Sequence, residues 1–197
     1  MEFLTVMFGL LTFAGLGFTI HYGRKASALE KARKQFDWTD LQACMSDLAS
    51  ASKKEFIPDV VFTPGLRGAT LTNLLLSEFD GNIPAYVGIS FWRESLDAPS
   101  ELSETERIDT KKWYVHVPLS LTSYKDKKLL VVDDFAMSGD FLDSLRIVLQ
   151  GMGFQSNNVK TMCAVTTTIA IQNKKAPDYW WFASENTDFY FPWGKAR

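Results

Sequence analysis

An α/β fold with a mostly parallel, helix-flanked sheet, preceded by one apolar segment, is the class this sequence predicts. Three observations predict it. Short apolar, β-branched runs alternate with stretches of helical periodicity from about residue 40 to 170. Two of these runs end in turns rich in glycine and charge, at 63–68 and 133–140. The first twenty residues hold a run without a single charge, residues 3–20.

That run, FLTVMFGLLTFAGLGFTI, has 18 positions. As a helix it would reach roughly 27 Å, enough for a hydrocarbon core. A basic cluster follows: Arg24, Lys25, Lys31, Arg33 and Lys34, opposed by Glu30. A secretory signal carries its positive charge before the apolar run. Here the polarity is reversed, so the expectation is an uncleaved transmembrane helix over 1–23 in the cell inner membrane, single-pass, with the bulk of the chain cytoplasmic. Thr5, Gly9, Thr12 and Thr19 fall on one face of it, either a self-association stripe or the usual glycine and threonine of spans. Residues 24–37 read as a basic helical stalk, and 38–197 as one domain.

Within that domain, Asp37 or Thr39 is placed to cap a helix over 40–53 whose Leu41, Cys44, Met45 and Leu48 share a face. Pro58 breaks the pattern. A strand at 59–62, the turn TPGLRG and a helix carrying Leu71, Leu74 and Leu75 come next, then a strand at 85–91. Residues 93–112 are polar and aperiodic, the mark of a functional lid or a disordered loop. Strands at 113–117, 128–134 and 159–168 follow, with a helix at about 140–150 closed by Gly151 and Gly153. Trp180, Trp181 and Phe182, three apolar residues in succession, read as strand core on both faces.

Composition excludes several functions. With 46% hydrophobic residues and 14% aromatics the chain is neither disordered nor low-complexity, and 21 basic against 23 acidic residues give no basic footprint for nucleic acid. Cys44 and Cys163 lie in apolar runs, and His21 and His116 are the only histidines, so disulfide frameworks and cysteine- or histidine-rich metal sites are disfavoured. GxSxG, HExxH and P-loop signatures are absent.

The two turns carry the chemistry. A buried strand that delivers Asp133 and Asp134 to its carboxyl edge leaves two acids in need of partners, such as sugar hydroxyls or a hydrated Mg²⁺. The alternative is an ordinary strand, turn and helix with Asp as a cap. Behind them, the turn through Met137, Ser138, Gly139, Asp140 and Phe141 feeds a helix N-terminus, where free amides favour a phosphate. In the other turn Gly65 and Gly68 let backbone crowd a ligand, and Arg67 offers a fork for phosphate oxygens.

In this order and spacing the two turns resemble the type I phosphoribosyltransferase family, over about residues 36–195, and the tail at 178–193 is similar to that of bacterial xanthine–guanine phosphoribosyltransferases. The resemblance implies that Asp133 and Asp134 bind the ribose of phosphoribosyl diphosphate (PRPP), directly or through Mg²⁺, and serve catalysis with Arg67. It implies that Met137–Phe141 receive the 5′-phosphate and that Leu66, Arg67 and Gly68 hold the pyrophosphate, in a loop that in the family often contains a non-proline cis peptide. It places Lys111 or Lys112 on a closing lid, and leaves Phe189 and Lys174 as base-binding candidates. This chain departs from the family at Met137, where purine enzymes carry an acid, at Phe141, which replaces a threonine, and at Asp140, whose charge lies beside the expected phosphate. Three functions stay open: a membrane-anchored transferase binding PRPP or a nucleotide, a catalytically silent sensor of such a ligand, and an effector subunit of a membrane assembly.

Overall fold

The computed structural model describes residues 34–92, 101–110 and 113–196. The apolar run at 3–20, the stalk up to residue 33, Lys111 and Lys112 lie outside them. In chain order the elements are β1 (Lys34–Gln35), α1 (Trp38–Lys53), β2 (Val60–Thr63), α2 (Leu66–Leu76), β3 (Ala85–Val87), β4 (Ile89–Trp92), β5 (Thr105–Asp109), β6 (Trp113–Pro118), β7 (Leu129–Ala136), α3 (Asp140–Gly151), β8 (Val159–Thr167), α4 (Thr168–Gln172), β9 (Tyr179–Ser184), β10 (Phe189–Phe191) and β11 (Gly194–Lys195). Among the described residues no helix is long and apolar enough to cross a membrane.

The central sheet has five parallel strands in the order β3-β2-β7-β8-β9. Its middle strands are apolar without alternation because both faces are covered. Val61, Leu130 and Val132 pack with α1 and with Leu71 and Leu75 of α2 on one face. Val60, Phe62, Leu129 and Val131 pack with Leu145 and Leu149 of α3 on the other. The chain leaves β2 through α2 toward β3, and leaves β7 through α3 toward β8. The two crossovers run in opposite directions from neighbouring strands, so the carboxyl ends of β2 and β7 flank the point where winding reverses. In open parallel sheets that crevice is where ligands bind.

Several expectations need correcting. The strand expected at 85–91 is two strands that bend at Gly88, where a Cβ would stand 3.0 Å from the Phe62 ring, 3.1 Å from Pro64 O and 3.2 Å from His116 O. Within the polar stretch 93–112, Thr105–Asp109 forms a strand that pairs with β6 in an antiparallel sheet, β4-β6-β5. His116 is a structural residue of that sheet. The Thr105 hydroxyl donates to Leu102 O, so His116 Nδ1 donates to Thr105 Oγ1 at 2.9 Å. Trp180, Trp181 and Phe182 are not core on both faces, since β9 is an edge strand and Trp180 is exposed. The Trp181 ring packs near Phe36, and its N–H donates to Asp47.

A small third sheet, β1-β10-β11, covers the carboxyl edge on the side of α1. Residues 34–35, expected to end a helical stalk, pair in parallel with β10 instead. Phe36 behind them is buried among the rings of Phe182, Phe189 and Phe191. Four aromatic rings meeting at one edge supply more burial than a polar stalk helix could, which explains the departure.

Candidate functional site

The acidic pair sits near the end of β7, which stays buried from Leu129 to Ala136. Both carboxylates are almost wholly withdrawn from water. Burial pushes the Asp133 carboxyl well above the usual range, and the neighbouring Asp134 charge pushes the same way. Burial also raises Asp134, against the opposing pull of the Arg67 guanidinium and the Trp193 indole. Asp133 Oδ1 accepts the Asp134 amide at 2.9 Å. Two adjacent buried acids with so few donors form a site that gains from a cation or a hydroxyl-rich ligand.

Arg67 reaches this pair from the first turn of α2, which follows the neighbouring strand β2. Thr63 ends β2, Gly65 caps α2 in an extended conformation, and Leu66 begins the helix. Leu66, Arg67 and Gly68, expected in a loop, are thus its first turn, and every described peptide bond is trans. Gly68 makes the approach possible. A Cβ there would lie 2.1 Å from Thr63 Oγ1 and 2.5 Å from Val132 O, so no larger residue lets α2 rest so closely on β7. Arg67 Nη1 stands 3.8 Å from Asp134 Oδ2. Leu66 is 82% exposed at the start of this turn.

The same Asp134 oxygen accepts the indole N–H of Trp193 at 3.2 Å. Trp193 follows β10 and stacks on Phe191 with ring centroids 4.9 Å apart. The carboxylate is therefore held by residues from α2 and from the turn between β10 and β11. The sequence signal for Trp193 is its place at the end of the tail 178–193, which names no partner 59 positions away.

Past Ala136 the chain turns through Met137, Ser138 and Gly139 into α3. Gly139 has φ +78°, a left-handed conformation that suits glycine. Ser138 Oγ donates to Asp140 Oδ2 at 2.9 Å, and the Thr167 hydroxyl donates to Met137 O. Asp140 is also engaged by Lys175, at 2.6 Å from Oδ1. Met137 is 40% exposed beside the acidic pair, while Phe141 is half-buried against Leu142 and Cys163.

The structure thus brings Arg67, Gly68, Asp133, Asp134 and the turn at 137–141 to one edge of the sheet. Phe189 is buried behind that edge instead. That ring is only 1% exposed, packed edge-on against Phe135 at 5.0 Å and against Phe36, so a base cannot stack on it. Phe189 belongs to the core, a correction to its expected base-binding role. Lys174 is exposed, in the turn after α4, with φ +58°. Lys111 and Lys112 lie outside the described residues.

No cluster of three or more metal-binding side chains occurs among the described residues. Asp133 and Asp134 still suit Mg²⁺, which is commonly held by one or two carboxylates with water and substrate oxygens completing the shell. The burial of two adjacent carboxylates with few donors is the observation that fits, because a hard cation would compensate it.

No family model and no curated protein matches this sequence. Solved structures do. The chain is similar to the purine phosphoribosyltransferase of Pyrococcus horikoshii Ot3, 20% identical, covering 84% of this chain and 96% of that one with a TM-score of 0.58. It is similar to the xanthine–guanine–hypoxanthine phosphoribosyltransferase of Helicobacter pylori, 17% identical over 82% of this chain and 94% of that one, TM-score 0.58. A hypothetical protein from Neisseria gonorrhoeae with bound ppGpp is 18% identical over 82% and 89%, TM-score 0.60. The parallel five-stranded core thus matches the type I phosphoribosyltransferase fold.

Proposed function

We propose that this protein binds PRPP in the crevice between β2 and β7 and transfers its phosphoribosyl group to a nitrogenous base. The observation that carries this is the meeting of Arg67 with Asp134 at the reversal point of a phosphoribosyltransferase-like sheet. Arg67 and the first amides of α2 hold the pyrophosphate. Asp133 and Asp134 hold the ribose hydroxyls, and the amides of Ser138, Gly139 and Asp140 hold the 5′-phosphate. A ring nitrogen of the base forms the bond to C1 as the bond from C1 to the pyrophosphate oxygen breaks, and the base gives up a proton. Positive charge gathers on the ribose in that step, and the buried carboxylates stabilise it. Mg²⁺ on Asp133 and Asp134 would neutralise the leaving pyrophosphate.

A second reading has its own observation. Met137 occupies the place of the family's acid and Phe189 is locked in the core, so the base side of the crevice lacks two expected contacts. A protein that binds PRPP or a nucleotide without turnover, as a sensor or effector subunit, needs no such contacts. In either case residues 3–20 anchor the protein in the inner membrane with the sheet domain cytoplasmic, as a homo-oligomer where the Gly9 face pairs spans.

Release of pyrophosphate from PRPP and Mg²⁺, followed with single nucleobases and the full-length protein, separates the two. Base-dependent release establishes transfer. Saturable PRPP binding without release establishes the second reading, and absence of binding refutes both.

A further inference from the structure

The turn at 137–141 presents a contradiction: it offers amides to a phosphate yet carries the Asp140 carboxylate in its first helical turn. The structure shows what answers that charge. Lys175, from the turn joining α4 to β9, places its Nζ 2.6 Å from Asp140 Oδ1 and 3.5 Å from Asp143 Oδ2. These carboxylates hold the ammonium above its usual proton affinity, so it is charged at any physiological pH.

The main chain of Lys175 is fixed against the same turn. Its amide donates to Ala170 O at 2.9 Å, and Lys174 before it takes the left-handed conformation. Gly139 packs so closely below that a Cβ would lie 2.1 Å from Lys175 O and 2.5 Å from Lys175 Cβ. The two turns are therefore packed together, and the one Asp140 carboxylate takes the ammonium on Oδ1 and the Ser138 hydroxyl on Oδ2. The Ser138 hydroxyl proton is meanwhile committed to Asp140, and Phe141 has none to give. A phosphate here has lost two hydroxyl donors, and the Lys175 ammonium is held on Asp140 of the same turn.

Resting on the proposed ribose-phosphate reading, we propose that Lys175 is a binding residue for the 5′-phosphate. Its ammonium bridges the Asp140 carboxylate and a phosphate oxygen, replacing the absent hydroxyl donors. The site is thereby specific for a terminal phosphate dianion carried on a sugar, while Arg67 at the other corner reads the pyrophosphate. The bond is a charge-assisted one of the kind lysine makes with phosphates.

The test uses the full-length protein with Mg²⁺ and two probes, ribose 5-phosphate and inorganic pyrophosphate. K175M is expected to weaken ribose 5-phosphate by about tenfold or more, the usual loss of a charged hydrogen bond, while leaving pyrophosphate within about twofold. K175R should restore most of the affinity. In a D140N background the K175M penalty persists, because the ammonium touches the phosphate itself. Unchanged ribose 5-phosphate affinity in K175M, an equal loss for both probes, or a penalty that vanishes with D140N overturns the assignment. If the parent protein binds neither probe, the ribose-phosphate reading itself fails, a distinct result.

Discussion

Gly68→Ala is the smallest change that tests how α2 delivers Arg67. The added methyl would sit 2.1 Å from Thr63 Oγ1, 2.5 Å from Val132 O and 3.2 Å from Asp133 Cα. Carbon contacts are comfortable only near 3.5 Å, so the first turn of α2 must lift by about 1 Å. In an open helix the same substitution stabilises by about 0.5–1 kcal/mol. Here overpacking against backbone costs about 1–3 kcal/mol, and the net effect is a loss of about 1–2 kcal/mol. For a domain of this size that is a fall in Tm of about 2–8 °C. The lift also carries Arg67 away from Asp134, already 3.8 Å distant, and pyrophosphate affinity should drop about tenfold, the worth of one charged hydrogen bond. Thermal melts and calorimetric titration with pyrophosphate read both effects. A variant at least as stable as its parent, with unchanged affinity, would refute the close-packing argument.

Two further outcomes follow from the same geometry. Trp193→Phe keeps the stack on Phe191 but removes the N–H that Asp134 accepts, and PRPP affinity should fall about five- to tenfold, read by calorimetry. Asp178 is partly buried, which pushes its carboxyl up, but hydrogen bonds from the Thr161 amide, Lys160 and the Thr161 hydroxyl, with the Arg146 charge, outweigh burial and hold it below the usual range. The stability this lends is fully present above the unfolded carboxyl value of about 4 and is lost as pH falls through the lower folded value. Asp178→Asn should therefore lower Tm at pH 7 and reduce the acid-side fall below pH 4 in melts across pH.

The parts of the fold legible in the sequence are those where one local pattern suffices. The run from Leu129 to Asp134 is apolar on every residue, and a strand covered on both faces is what such a run becomes. Asp37 and Asp40 form the capping box that starts α1, a signal carried by neighbours three positions apart. The acids and the Arg67 turn were legible as chemistry because each lies at the end of an apolar strand.

What escaped depends on contacts distant in sequence. Phe189 shares one strand face with Phe191 across the intervening Tyr190, and the period-two pattern marks both as core. Only the fold shows the rings of Phe36 and Phe135 waiting for them. Strand β5 has one buried residue, Ile108, among polar ones, so its pattern is too weak to read apart from its pairing with β6. Trp193 and Lys175 gain their meaning from Asp134 and Asp140, partners that lie 59 and 35 positions away.

Asp133, Asp134 and Arg67 are proposed to form one cradle for a sugar diphosphate. Equilibrium titration of the full-length protein with PRPP and Mg²⁺, repeated on Asp133→Asn/Asp134→Asn, tests it most directly. Saturable binding at one site per chain is expected, with a loss of about 100-fold or more in the double variant, since two charge-assisted contacts go at once. Equal affinity in both proteins would contradict it.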